Sequence, residues 1–271
     1  MKASVLLAFG LGLLFAGNAV AADLYVPQQS PQPYAEPAPA AAGGWYLRGD
    51  VGYAFSDMRG AYYFPGGHDQ DYDTADTKDF WTLGLGAGYQ VTKHFRVDVT
   101  GDYGFKSDFH GTTSTTGCGV AVCSSDDHGS VKLLSLLANA YVDLGTWNRV
   151  TPYVGAGIGG THVDWGHFTS VGSPGCPDCG GDYEGKSDWR FTYALMAGAS
   201  VDLTCNLAFD ASYRFRHING GGMSQDFPGG GAGRAYDKGF NVQDVRGGLR
   251  YTFGGCAAPQ LAAYQPAPVY K

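Results

Sequence analysis

Three short stretches carry most of the chemistry that the residue types allow. "CPDC" (Cys176 to Cys179) has the spacing of a redox dithiol or of half a zinc site. "GAGIGG" (Gly155 to Gly160) matches the glycine spacing of a dinucleotide-binding turn, and "DQDYDTAD" (Asp69 to Asp76) gathers carboxylates as a divalent-cation loop would. Each lacks its necessary context. No βα unit or second ligand pair accompanies the cysteines. The glycines keep a two-residue period instead of opening a helix, and the acidic run lacks the glycine and terminal glutamate of an EF-hand loop. The histidines are scattered, with no Ser/His/acid constellation. The expectation is no catalytic residue, no metal, no cofactor and no enzyme activity.

What positions these residues is a period of two. "FWTLGLGAGYQVTKHFRVDVTGDYGF" (Phe80 to Phe105) places a large apolar residue at every second position, with glycine or charge between. Eight segments of this kind follow one another: Gly44–Phe55, Phe80–Val91, His94–Phe105, Val131–Leu144, Thr151–Val163, Trp189–Leu203, Leu207–Ile218 and Val242–Phe253. Long Gly/Asp-rich loops (Ser56–Asp79, Lys106–Ser130, Asp164–Asp188, Asn219–Asn241) alternate with tight links at Thr92-Lys93, Gly145–Val150 and Thr204–Asn206. All long loops therefore lie at one end and both termini at the other. The pattern predicts an all-β fold, an eight-stranded antiparallel up-and-down transmembrane β-barrel.

The polar face decides which side meets lipid. By parity it carries Arg48, Arg96, Arg190, Arg214, Arg216, Arg246 and Arg250 with Asp50, Asp98, Asp102, Asp143, Asp202, Asp210 and Asp244. Arginine, whose planar fork satisfies several carboxylates, suits an enclosed ion-pair network; lysine, the usual solvent-facing residue, hardly enters the strands, Lys132 near a loop end being the exception. The opposite face has aliphatic residues in its middle and aromatic residues at its ends, as two interfacial girdles require. A tilted strand crosses hydrocarbon in about 9–11 residues, the length of these segments. Lipid is expected outside and a narrow salt-bridged lumen inside. A soluble sandwich or lipocalin-like barrel would leave the girdles and the arginines unexplained.

Residues 1–22 have a lysine, an apolar run and small residues at Ala19 to Ala21, the form of a secretory signal peptide. Residues 23–43 form a Pro/Ala-rich segment, 44–254 the barrel and 255–271 a second Pro/Ala-containing tail. An exported chain with six cysteines implies disulfides, and loop placement pairs Cys118 with Cys123, Cys176 with Cys179 and Cys205 with Cys256, with cross-loop pairing left open. The net charge of −7 and the absence of basic clusters argue against nucleic-acid binding.

The leader followed by "AADLYVP", the phrases "WYLRGDVGYAF", "NAYVDLG" and "TPYVGAGIGG", and the last strand "RGGLRYTF" resemble small OmpA-like outer-membrane β-barrel surface proteins of alphaproteobacteria, in the porin or opacity-protein family. The resemblance spans about Gly44 to Gly254 and implies a Gram-negative outer membrane with periplasmic termini. It implies outer-membrane lipids and lipopolysaccharide as surroundings, and the barrel-assembly machinery as a partner during insertion. Arg246, Gly248, Tyr251 and Phe253 match the family's assembly signal, although this chain runs on to Lys271; no peptidoglycan-binding module follows the barrel. The expected function is a structural or surface role, with the lumen plugged by Arg/Asp pairs and the loops open to an external ligand. The alternatives are a narrow porin-like channel and, from another class, a lipid-modifying enzyme.

Overall fold

The computed structural model describes residues 44–65, 69–115, 122–174, 180–225 and 232–256. The leader, the N-terminal segment, most of the C-terminal tail, and Cys118, Cys176 and Cys179 lie outside the described residues. Eight strands form a ring: β1 (Gly44–Met58), β5 (Phe80–Gln90), β6 (Phe95–Thr115), β7 (Cys123–Asp143), β8 (Val150–Trp165), β11 (Ser187–Asp202), β12 (Leu207–Gly222) and β13 (Ala232–Thr252). Every neighbouring pair is antiparallel. The ring closes where β1 pairs β5, from Gly44↔Gln90 to Ala54↔Phe80, and β13, from Tyr46↔Thr252 to Met58↔Phe240. Closure leaves no unpaired edge in the spanning part, where lipid offers a free N–H or C=O no partner.

The short connections fall where the sequence placed them. Val91 N–H donates to Phe95 O at 2.9 Å and Leu203 N–H to Leu207 O at 2.9 Å. Asn148 and Arg149 take positive φ in the Gly145–Val150 link. Cys205 and Cys256 are disulfide-bonded across the turn-side end, Cα to Cα 5.2 Å, and Cys123 is also engaged in a disulfide.

The long connections differ from the expectation. Five short strands occupy them: β2 (Ala61–Pro65), β3 (Gln70–Asp71), β4 (Thr74–Thr77), β9 (Phe168–Gly172) and β10 (Gly181–Tyr183). In addition, β6 runs on to Thr115, β7 starts at Cys123 and β13 starts at Ala232, inside spans read from sequence as loop. The cylinder continues past the lipid-facing belt as a crown, in which β4 pairs β6, β9 pairs β7 and β2 pairs β13.

The physical reason is an inversion of polarity along single strands. On β7 the outward residues are Ser124, Asp126, His128, Ser130 and Lys132, and then Leu134, Leu136, Ala138, Ala140 and Val142, with the exposed Leu144 just past the strand. The apolar part has the length that a tilted strand needs to cross hydrocarbon. On β13 the exposed Arg234 and Lys238 give way to Val245, Leu249 and Tyr251. Below the crossover the outer face is apolar and flanked by aromatics: Tyr53, Trp81, Tyr103 and Trp189 towards the crown, Trp45, Tyr89, Tyr251 and Phe253 towards the turns. Above it the outer face is polar and the apolar residues turn inward.

Candidate functional site

Among the described residues, the lumen is where strands from the whole ring bring charged side chains together, and its two halves are built differently. In the turn-side half, Arg48 grips Asp50 at 2.7 Å and reaches Asp98 at 3.4 Å and the Tyr141 hydroxyl at 3.1 Å. Arg246 joins Asp50 at 3.5 Å to Asp102. Arg214 joins Asp102 at 2.8 Å to Asp244 at 2.7 Å, and Arg216 completes the chain with Asp244 at 3.1 Å and the Ser135 hydroxyl at 2.9 Å. The line therefore crosses from the β1–β6 wall to β12 and β13 and back to β7 without a gap. All these charged residues are buried.

Two further pairs sit towards the turns. Arg96 holds Asp143 at 2.9 Å, with its guanidinium 5.0 Å from the Tyr141 ring and 4.8 Å from the Tyr153 ring. Arg250 lies 3.4 Å from Asp210 and over Tyr46. Arginine suits both jobs, because its flat face stacks on an aromatic ring while its edge donates.

Glycine is what makes room for the network. A Cβ on Gly84 would lie 2.3 Å from Arg246 Nη2 and 2.6 Å from Asp102 Oδ1, so only a residue without a side chain fits beneath that pair.

The loop-side half is apolar. Phe80, Phe109, Trp165, Phe168 and Phe240 pack with Met58, Met223, Ile218, Val131 and Val163, all buried. Their rings meet edge-on or tilted, Phe109 to Trp165 at 5.5 Å and Trp165 to Phe240 at 5.9 Å. Tyr63, Tyr72 and Tyr183 pack against this cluster from the crown. There burial pushes the Tyr72 hydroxyl well above the ordinary phenol range, and the Asp127 carboxylate beside it adds to the shift.

One ion pair is buried at the crown end. Arg190 holds Asp237 at 2.6 Å and donates to Gly222 O at 2.9 Å. Asp237 also accepts from Trp165 Nε1 at 3.3 Å and from the Gly239 N–H at 3.0 Å. Gly239 has φ +97° within β13, a conformation that a side chain would strain, and it lets the backbone turn its N–H onto the carboxylate.

The expected network residues are thus brought together, with one correction. Asp202 is only half-buried, beside a polar recess of about 170 Å³ at the turn-side mouth, and makes no ion pair with a described residue. Asp237 takes its place among the partners of the seven buried arginines, and Asp127, in the crown, is an eighth buried aspartate. Parity missed Asp237 because its stretch was read as loop and because the inward positions of β13 change from odd to even between Gly239 and Phe240, where Gly239 has positive φ. It also missed the buried Tyr46, Tyr141 and Tyr153, which look like girdle residues until their neighbours of the same parity are compared.

The remaining motifs resolve plainly. "GAGIGG" lies inside β8 and leads into no helix. The acidic stretch Asp69 to Asp76 contributes β3 and β4. Among the described residues no three His, Cys, Asp or Glu side chains converge as a metal site. Tyr251 and Phe253 are exposed on the outer face, 5.2 Å apart, while Arg246 and Gly248 face the lumen.

Residues 33–253 match the outer membrane protein beta-barrel domain family. The chain belongs to that family. An uncharacterized protein of Brucella abortus is 37% identical over 277 positions, covering 89% of this chain and 95% of the relative. The outer membrane protein PagN of Salmonella typhimurium is 24% identical over 184 positions, covering 65% of this chain and 74% of PagN. The crystal structure of OprG from Pseudomonas aeruginosa covers 78% of this chain and 96% of its own, with a TM-score of 0.49 and 16% identity. Membership in the outer membrane barrel family places the protein in the outer membrane of a Gram-negative cell.

Proposed function

We propose that the protein is a non-enzymatic, closed barrel with a structural and surface role, which holds its crown outside the cell while its termini lie in the periplasm. A removed leader at residues 1–22 belongs to this reading. The observation that carries it is the double filling of the lumen, ion pairs below and aromatic rings above. An eight-stranded barrel has an interior about wide enough for side chains alone. Water and solutes are then excluded twice, by a neutralised charge layer and by an apolar one.

The orientation draws support from Lys78, Lys106 and Lys132, which are exposed just beyond the outer apolar belt on the crown side. Ammonium groups at that height suit the phosphates of lipopolysaccharide. The exposed Tyr251 and Phe253, with Arg246 and Gly248 behind them, fit an assembly signal read by the insertion machinery. External ligands would meet the crown.

Planar-bilayer recording with pure protein tests the closed lumen. No stable conductance step is expected; reproducible openings would make a narrow channel the better reading. Unchanged lipopolysaccharide acylation on overproduction is expected, and an altered acyl pattern would favour a lipid-modifying enzyme.

A further inference from the structure

The crown carries a transverse row of side chains to which neither the closed lumen nor the surface role assigns a task. On its outer face, Asp76 of β4 stands opposite His110 of β6, His110 opposite His128 of β7, and His128 opposite Thr169 of β9. Asp76, His110 and His128 are all exposed. The two imidazole rings lie 5.0 Å apart, centroid to centroid, inclined by 52°.

That separation has room for a shared metal ion. A zinc–imidazole bond of about 2.0–2.1 Å puts each ring centroid about 3.2 Å from the ion, so two rings at a tetrahedral angle stand about 5.2 Å apart. Cross-strand neighbours on paired strands are also held more firmly than loop residues, so little ordering remains for the ion to impose.

Further ligands are at hand. Asp76 makes no hydrogen bond or ion pair with a described residue and projects beside His110, while Asp126 lies on the same face two residues before His128. As placed, no three such groups converge. A rotamer change of Asp76 or a water would therefore supply the third position. Across the row, Asp182 is already engaged, accepting from the Thr169 hydroxyl at 2.9 Å and lying 3.5 Å from His167.

We propose that His110 and His128 form a surface clamp for a first-row transition-metal ion of the Zn²⁺ type, with Asp76 as the adjoining carboxylate. The site stands apart from the lumen and holds whether or not the barrel conducts. Two imidazoles with one carboxylate favour Zn²⁺, Ni²⁺ or Cu²⁺ over the oxygen-seeking Mg²⁺ and Ca²⁺.

The test is calorimetric titration of the untagged, detergent-folded full chain with Zn²⁺, with Mg²⁺ present as competitor. One ion per chain at micromolar affinity is expected, unaffected by Mg²⁺. His110→Ala and His128→Ala are each expected to weaken binding by about tenfold or more, Asp76→Asn by less, and His217→Ala, elsewhere on the outer wall, not at all. A heat-dependent gel shift retained by each variant shows that it is folded. Absence of saturable binding, or affinity unchanged in both His110→Ala and His128→Ala, overturns the proposal; so does equal weakening by His217→Ala.

Discussion

The turn-side and loop-side halves of the cylinder are built on the same strands and invert each other. Below Lys132 the barrel is apolar outside and ionic inside; above it, polar outside and mainly apolar inside, with the Arg190–Asp237 pair and Asp127 enclosed. The difference teaches that the strands carry one rule, namely that each face matches the medium it meets. In hydrocarbon the outer face repays burial, so charge is free to gather within. In water the outer face must be polar, and the crown is held together as a small soluble β-protein is, by an aromatic core.

The largest expected effect lies in the ionic half. Asp102 is shared by Arg214 and Arg246, so Asp102→Ala leaves one positive charge in excess in the buried network, with Arg214 keeping only Asp244 and Arg246 only Asp50. A loss of about 3–5 kcal/mol is expected in denaturant unfolding from detergent micelles. A variant as stable as the parent would break the contrast between the halves.

Next comes the outer face. Leu85→Arg, in the middle of the β5 belt, is expected to cost about 2–4 kcal/mol in vesicles, because the guanidinium would sit in hydrocarbon. Ser124→Arg, outward on the β7 crown, should stay within about 0.5 kcal/mol. Equal costs at the two positions would mean that the crossover is misplaced.

The glycine beneath the network follows. Gly84→Ala pushes a methyl against Arg246 and Asp102, at a cost of about 1–3 kcal/mol by equilibrium unfolding. The smallest effect belongs to the apolar half. There Phe109→Leu conserves chemistry and much of the volume, so a loss below about 1.5 kcal/mol is expected by the same measurement. A Phe109→Leu cost matching that of Asp102→Ala would show that the crown core is as exacting as the ion pairs.

The same inversion explains what the sequence disclosed. In Phe80 to Phe105 the outward residues are greasy and the inward ones glycine or charge, so the ring, its order and its arginines could be read by parity. Beyond Phe105 a bulge between Gly104 and Ser107 shifts the register of β6, so that in the alternation of "SDFHGTT" the odd positions, outward as far as Phe105, turn inward with Phe109, and His110 points outward. With few apolar residues to mark it, that alternation resembles a polar loop. Trp165 and Phe168 were hidden in the same way, and Asp237 with them: its partner Arg190 was visible on β11, yet nothing local links the two. Asp202 misled because parity gives a face and no depth; at the turn-side mouth the same face opens to water.

The most direct test is a nitroxide scan along the outer face of β7 in vesicles, comparing collision with oxygen, which partitions into lipid, and with a water-soluble nickel chelate. Labels at positions 134, 136, 138, 140 and 142 are expected to collide mainly with oxygen, and labels at 124, 126, 128 and 130 mainly with the chelate, with the crossover at Lys132. A uniform response along the strand, or oxygen access continuing to position 124, would contradict the inversion.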